Sequence, residues 1–177
     1  MESEARNPLV DRMIGAARLN VETYEEVEAD TSATRQALLV VAIVAIATGI
    51  GSIGSGGFGF ISGIVIGLVG WVLWTWITYF IGTKLLKTPE THANWGQLAR
   101  TLGFAQSPGV LKVFAFIPVI GVPIYLAVLI WTLVTMVIAV RQALDFTSTG
   151  RAVGVVMLSF IPYAVLQSIV IVVFVRT

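Results

Sequence analysis

The chain has 177 residues, of which 56% are hydrophobic and only 12% are charged. Soluble domains carry about 25% charged residues, so this composition excludes a soluble globule and predicts a compact helical membrane domain. The net charge of +1 favours neither nucleic acid nor an acidic substrate as a partner, and the absence of cysteine excludes disulfides and thiolate ligands or nucleophiles.

Residues 1–35 are polar and predict a cytoplasmic amino-terminal segment that is partly an amphipathic helix. Asn7 followed by Pro8 is a typical helix start. A helically spaced apolar stripe follows, made of Val10, Met13, Ile14, Ala17, Val21 and Tyr24. Acidic residues crowd the end of the segment, and an anionic leaflet would repel them. We expect the segment to dock on the protein's own cytoplasmic side or on a partner; a solvated, frayed segment is the alternative.

Long stretches without a formal charge predict that residues 36–177 form the membrane domain. These stretches cover residues 36–83, 113–140 and 152–175. A bilayer core of about 30 Å needs about 20 apolar helical residues, so the first stretch is too long for one crossing. Because eight acidic residues precede it, it does not resemble a signal peptide, and we expect an uncleaved first span.

The glycine-rich sequence GIGSIGSGGFG, residues 49–59, marks a turn within the first uncharged stretch. It divides that stretch into spans at about 36–53 and 60–83. A polar connection follows, in which Trp95, Leu98, Ala99 and Leu102 share one helical face. We therefore predict an interfacial helix between spans two and three.

The stretch 113–140 has two interpretations. It is either one long tilted helix, or two short helices separated at the prolines and glycine of IPVIGVP, residues 117–123. The second interpretation gives a third span at about 109–121, short enough to be a re-entrant hairpin instead. It also gives a fourth span at about 124–140, and a fifth follows at about 152–175.

The basic residues distinguish four crossings from five. Five crossings place ten of the eleven Lys and Arg residues on one side and leave only Arg176 on the other. Four crossings would separate Arg141 and Arg151 from the rest. The positive-inside rule favours five. We predict an all-α, five-span bundle with a cytoplasmic amino terminus and an external carboxyl terminus.

Glycines at helical spacing predict close packing of the membrane helices. Gly59, Gly63 and Gly67 form small-xxx-small repeats, and Gly150 and Gly154 form another. This spacing lets helix backbones approach closely in lipid. Packing within the chain is the principal interpretation, and a homodimer face is the alternative.

The sequence shows no pattern typical of catalysis or of cofactor binding. No acidic or basic residue lies deep in an apolar stretch, which disfavours an ion channel or a coupled pump. His92 is the only histidine, and its polar surroundings favour a surface group over a metal or haem ligand. We expect no enzymatic activity, no cofactor and no metal site.

The chain contains three distinctive local motifs: NWGQLARTLGFAQSPGVL at 94–111, IPVIGVP at 117–123 and WTLVTMVIAVRQALDFTSTGRAV at 131–153. Together they resemble the Yip family of Ypt/Rab-interacting membrane proteins, in its bacterial branch. The resemblance covers about residues 25–175 and implies five spans, a cytoplasmic amino terminus and a bacterial inner-membrane location. It also implies non-enzymatic work through protein or lipid contacts. The aspartate–leucine–tyrosine–glycine–proline signature of the eukaryotic members is absent, and the nearest sequence is ETYEEVEAD at 22–30.

The leading hypothesis is a membrane scaffold whose partners are lipids and a second protein or another copy of the chain. The expected contact residues are Trp95, Gly96, Arg100, Gly103, Pro108, Arg141, Asp145 and Arg151, with Asp145 pairing to the two last arginines. A transporter or flippase for a neutral or lipid-like solute is the second hypothesis, because discontinuous helices often line binding sites. The third is an accessory subunit of a large respiratory or photosynthetic complex.

Overall fold

The computed structural model describes residues 8–52 and 60–176, and this part of the chain is helical and contains no strand, which confirms the all-α class. Most of the expected glycine-rich turn, including Gly59, lies outside the described residues. In chain order the helices are α1 (Pro8–Ala17), α2 (Val21–Ala29), α3 (Ala33–Gly51), α4 (Phe60–Phe80) with a π-helical turn (Ile81–Leu85), α5 (Trp95–Ala105), a 3₁₀ helix (Ser107–Phe116), α6 (Gly121–Ala143) and α7 (Thr149–Arg176).

Four helices in the described residues are long and apolar enough to cross a membrane. These candidate spans are Ala33–Gly51, Ile64–Leu85, Gly121–Ala143 and Thr149–Val170. The 3₁₀ helix is also apolar but has only 10 residues. At about 2 Å per residue it is about 20 Å long, too short to cross a 30 Å core alone.

The 3₁₀ helix continues the path of α5, and together they form what we call the composite segment, residues 95–116. Gly103 packs on Ala37, Gly109 packs on Val44, and the carbonyl of Lys112 lies against Gly51. The composite segment therefore runs parallel to α3 along most of its length. Leu98, Leu102 and Phe104 are fully buried, so α5 packs inside the bundle. The sequence predicts instead an interfacial helix at this position.

The four candidate spans and the composite segment pack around one another in a ring, and α5 also contacts α4. In order around the ring, α3 contacts α4, α4 contacts α7, α7 contacts α6, and α6 contacts the composite segment, which returns to α3. Neighbours in the first four pairs are antiparallel, as contacts such as Gly67 on Ala45 and Gln167 on Ile66 show. We call the two ends of the ring the Ala33 end and the Gly51 end.

The chain breaks sharply between the 3₁₀ helix and α6, as the IPVIGVP motif indicates. Val119 is 94% exposed and adopts φ 73°, a conformation that a β-branched residue rarely takes. α6 then begins at Gly121, whose missing side chain lets the turn close against the carbonyl of Ala115. The turn lies at the Gly51 end, so α6 runs back toward the Ala33 end.

Helices α1 and α2 form an amino-terminal hairpin packed on the bundle. Leu19 ends α1 in the left-handed region with φ 63°, and the Asn20 side chain accepts a hydrogen bond from Thr23 N to cap α2. Tyr24 and Val27 are fully buried and join the bundle core. Burial also raises the pKa of Tyr24, whose hydroxyl donates to the carbonyl of Ala16.

The expected apolar stripe of the amino-terminal segment divides between two faces of this hairpin. Tyr24 is buried and Met13 packs against the core, whereas Val10, Ile14 and Val21 are exposed. The hairpin therefore docks with one part of the stripe and presents the other part outward.

Candidate functional site

Arg100 joins the bundle to the amino-terminal hairpin. Its side chain is only 6% exposed; Nε donates 2.9 Å to the carbonyl of Val27, and Nη2 donates to the carbonyl of Glu28. These carbonyls belong to the last turn of α2, where no further helical N–H group is available to them. A cation is also favoured there by the helix dipole. The guanidinium, which the sequence suggests as a partner contact, therefore holds α2 on α5.

Glu28 lies beside this arginine in an acidic environment. Burial and then the Asp145 carboxylate raise the pKa of Glu28 to about 7, with Glu25 adding to the shift and Arg100 opposing it. The side chain of Gln97 donates a 3.1 Å hydrogen bond to Glu28 Oε1. The contact between α2 and the bundle thus contains a carboxyl group that titrates near neutral pH.

A second arginine fixes the hairpin to the start of α3. Arg12 forms ion pairs of 2.7 Å with Glu26 and with Asp30, and Nη1 donates 2.8 Å to the side chain of Gln36. The Ser32 hydroxyl and Arg12 together hold the pKa of Asp30 at about 2. The hairpin is therefore tied to both α5 and α3 by charged hydrogen bonds, which contribute more than neutral ones.

The start of α5 explains the positions of Trp95 and Gly96. Asn94 and Gln97 form a reciprocal capping box, with Gln97 N donating 3.0 Å to Asn94 Oδ1 and Asn94 N donating 2.8 Å to Gln97 Oε1. Trp95 begins the helix and is exposed, and Gly96 leaves room for the Arg100 guanidinium. The Asn-x-x-Gln spacing is the sequence signal that could have predicted this start.

Pro108 and Gly103, two further expected contact residues, lie inside the protein. Pro108 is buried at the first turn of the 3₁₀ helix, and Gly103 allows α5 to approach α3. Their roles in the structure are internal packing.

The remaining expected contact residues lie around the connection between α6 and α7. Asp145 is exposed and ends α6 in the left-handed region with φ 52°, while Arg141 Nε donates 3.3 Å to the carbonyl of Phe146. Arg151 is exposed, lies over the Phe146 ring and donates to the carbonyl of Leu86. Among the described side chains, Asp145 makes no ion pair with either arginine.

The glycines of the predicted packing repeats have different surroundings. A Cβ added to Gly67 would lie 3.3 Å from Ala45, so this glycine brings α4 close to α3. Gly63 also lies in α4. Gly150 and Gly154 have neighbours only at 3.5 Å and 3.9 Å from such a Cβ, which is ordinary contact.

A cavity of about 550 Å³ lies at the centre of the ring, between the helices and the composite segment. Its volume falls in the range of small-molecule sites. Its apolar lining includes Val41, Val44, Ala45, Ile66, Trp71, Trp74, Leu129, Leu133, Met136 and Phe160. Its polar lining includes Thr48, Ser52, Gln106, Lys112, Tyr125, Thr132, Tyr163 and Gln167.

Lys112 contributes a cation to this cavity. The sequence predicts a position on the cytoplasmic side, at the edge of the third span, but the structure places the Lys112 backbone against Gly51, at the other end of the ring. The Lys112 amine lies 5.9 Å from the centre of the Tyr125 ring, and no carboxylate is among the cavity-lining residues. The pattern of charges along the chain could not show this position, because it depends on how the composite segment packs.

The described part of the chain offers no arrangement for a metal ion, since no three His, Asp or Glu side chains there converge on a common site. His92 is exposed between α4 and α5. The features that distinguish the molecule are thus the fixed amino-terminal hairpin and the cavity in the ring.

The family model described as Yip1 domain matches this chain over residues 19–170. The chain belongs to the Yip1 domain family. This confirms the suspected family, and members of the Yip1 family are membrane proteins that are not known as enzymes. No curated protein and no solved structure matches the chain.

Proposed function

We propose that this Yip1-domain protein is a non-enzymatic scaffold of the bacterial inner membrane that docks a second protein on its amino-terminal hairpin. The observation that carries the proposal is the rigid attachment of this polar hairpin to the membrane bundle. Arg100 joins the hairpin to α5 through two hydrogen bonds to main-chain carbonyls, and Arg12 joins it to α3 through a hydrogen bond to the side chain of Gln36. A unit fixed in this way to a membrane domain is suited to present a surface to a partner.

The outward surface of the hairpin combines apolar and acidic groups. Val10, Ile14, Leu19 and Val21 are exposed, and the exposed acids Glu22, Glu25 and Glu26 lie next to them in α2. Exposed apolar patches with a polar rim are typical of interaction sites. The carboxylates favour a partner with basic residues and disfavour an anionic lipid surface.

The proposed topology has five crossings, with the composite segment as the third. α5 contributes about 16 Å and the 3₁₀ helix about 20 Å, which together match the bilayer core. The Ala33 end and the hairpin then face the cytoplasm, and the carboxyl terminus lies outside. The positive-inside rule supports this orientation, since Arg35, Lys84, Arg141 and Arg151 all belong to the Ala33 end.

Purification in a mild detergent tests the scaffold proposal. We expect the wild-type protein to retain a stoichiometric basic partner and the variant Val10→Glu/Ile14→Glu to lose it. Val119→Glu is the matched control, because Val119 is exposed on the turn at the opposite end. A monodisperse, partner-free wild-type monomer would overturn the proposal, and a partner retained equally by all variants would exclude the hairpin surface.

Transport or flipping of a neutral or lipid-like solute is a second candidate function, which the cavity between the candidate spans favours. Purified protein in proteoliposomes should then accelerate the movement of a fluorescent lipid between leaflets. Flux equal to that of protein-free vesicles would exclude this function.

A further inference from the structure

We infer that the central cavity binds an anionic amphiphile, with its head group at Lys112 and its acyl chain in the apolar part of the ring. This inference is independent of the proposed docking of a protein on the hairpin. It is based on the position of one cation, on the absence of a carboxylate that pairs with it, and on the shape of the cavity.

Lys112 carries a charge that no described residue pairs with. Its amine has no hydrogen bond or ion pair to any described residue, and only the Tyr125 ring lies near it, at 5.9 Å. The sequence has no Asp or Glu in 31–89, 91–144 or 146–177, so none of the candidate spans or the composite segment supplies a carboxylate. A cation in a largely apolar cavity is costly unless it is paired. An anionic ligand would supply the missing charge.

The polar groups of the cavity lie in one part of it. Lys112 and Ser52 lie toward the Gly51 end, and Tyr125 is one turn from the start of α6. Farther along the ring, Tyr163 and Gln167 are neighbours, because both would lie within 3.2 Å of a Cβ added to Gly70. The polar lining thus extends from the Gly51 end to the middle of the ring, which places a head group there.

The apolar part of the cavity is long. Between Tyr125 and Met136 the cavity follows α6 for about 16 Å, at about 1.5 Å per residue. Trp71 and Trp74 line the same region, are 7% and 4% exposed, and their indole N–H groups have no partner among the described residues. A long, mainly apolar site is suited to one acyl chain.

Quenching of tryptophan fluorescence by a brominated acyl chain tests this inference in full-length protein in an uncharged detergent. The probe is 9,10-dibromostearate, and its methyl ester is the uncharged comparison. We expect saturable quenching by the acid, with an apparent affinity at least about tenfold higher than that of the ester, since one charged hydrogen bond contributes roughly that much. Equal quenching by acid and ester in the wild-type protein would overturn the inference.

Variants then assign the site. Lys112→Gln should weaken binding of dibromostearate about tenfold, and Lys87→Gln should leave it unchanged because Lys87 is exposed in the connection before α5. Trp71→Phe/Trp74→Phe should remove the saturable part of the quenching, which confirms that the acyl chain lies beside these residues. Unchanged binding in Lys112→Gln would overturn the inference.

The source of the anionic head group is distinguished by a second pair of probes. Brominated phosphatidylglycerol and brominated phosphatidylcholine have the same chains and differ in net charge. Saturable quenching by phosphatidylglycerol and not by phosphatidylcholine assigns the site to an anionic phospholipid; quenching only by dibromostearate assigns it to a free fatty carboxylate. Equal quenching by all these probes contradicts an anion site.

Discussion

Arg100 shows how a single charged side chain connects the amino-terminal hairpin to the rest of the bundle. Although it is an ionised group, it is nearly buried, and its partners are two carbonyls at the end of α2. Such carbonyls need a donor when the helix ends against another element. Arg100 therefore fixes the orientation of α2 through geometry that a lysine, with one point charge, reproduces poorly.

Arg100→Gln should release the hairpin while the membrane ring stays folded. The loss of charged hydrogen bonds to buried carbonyls should cost about 2–3 kcal/mol. Limited proteolysis in detergent would show this as faster cleavage within residues 17–35. Arg18→Gln is the control, because Arg18 is exposed; equal cleavage rates in both variants would contradict the role of Arg100.

Glu28 should make docking of the hairpin dependent on pH. Its pKa in the folded protein is about 7, above the ordinary value of about 4.3, so folding favours the protonated carboxyl group. Its contribution to stability is therefore complete below about pH 4, decreases as the pH rises toward 7, and is lost above that pH.

Glu28→Gln should remove this decrease, because glutamine does not ionise and keeps the oxygen that accepts from Gln97. Thermal unfolding measured from pH 5 to pH 8 should show a variant that is more stable than wild type at pH 8 and nearly equal at pH 5. Asp145→Asn should shift the wild-type transition to lower pH, since the Asp145 carboxylate raises the pKa of Glu28. A transition unaffected by either substitution would assign the pH dependence to another group.

At the scale of elements, the composite segment depends on glycines that bring it close to α3. A Cβ on Gly103 would lie 2.8 Å from the Cβ of Ala37 and 3.2 Å from its carbonyl oxygen, and neither atom belongs to a flexible side chain. The two helices would have to separate, and such overpacking costs about 1–3 kcal/mol.

Gly103→Ala should consequently destabilise the protein, whereas Gly154→Ala should be neutral or stabilising. The nearest neighbour of a Cβ at Gly154 lies at 3.9 Å, and alanine is favoured over glycine in a helix by about 1 kcal/mol. Thermal melting of the two variants in the same detergent provides the comparison. A lower melting temperature for Gly154→Ala than for Gly103→Ala would contradict the packing described for α5 and α3.

The apolar stretches of the sequence predict most of these helices, but not the path of α5. Each of α3, α4, α6 and α7 is a long run of apolar residues, and the break before α6 follows from Pro118 and Pro123, so local composition is sufficient for them. In contrast, α5 contains both polar and apolar residues, a pattern that suits an interface and a buried site equally. Only contacts between residues about 70 positions apart in the chain, such as Arg100 and Val27, distinguish the interfacial from the buried position of α5.

The cavity could not be predicted for a similar reason. Lys112 stands beside an apolar stretch in the sequence, which is typical of a residue at the membrane surface. Its true surroundings follow from the parallel packing of the composite segment on α3, which carries Lys112 to Gly51. A 3₁₀ helix gains about 2 Å per residue, so a short segment carries its charge to the Gly51 end of the ring.

At the scale of the whole molecule, the proposed five crossings would place the turn before α6 on the opposite side from the connection before α5. Because the chain has no cysteine, single cysteines introduced at Val119 and at His92 report these two positions independently. Both residues are exposed.

In intact cells, a membrane-impermeant maleimide should label Val119→Cys, and it should label His92→Cys only after the membrane is permeabilised. Labelling of both from the same side would exclude a crossing by the composite segment, since residues 95–116 make up most of the chain between the two positions. Labelling of His92→Cys alone in intact cells would preserve five crossings and reverse the orientation, placing the hairpin outside.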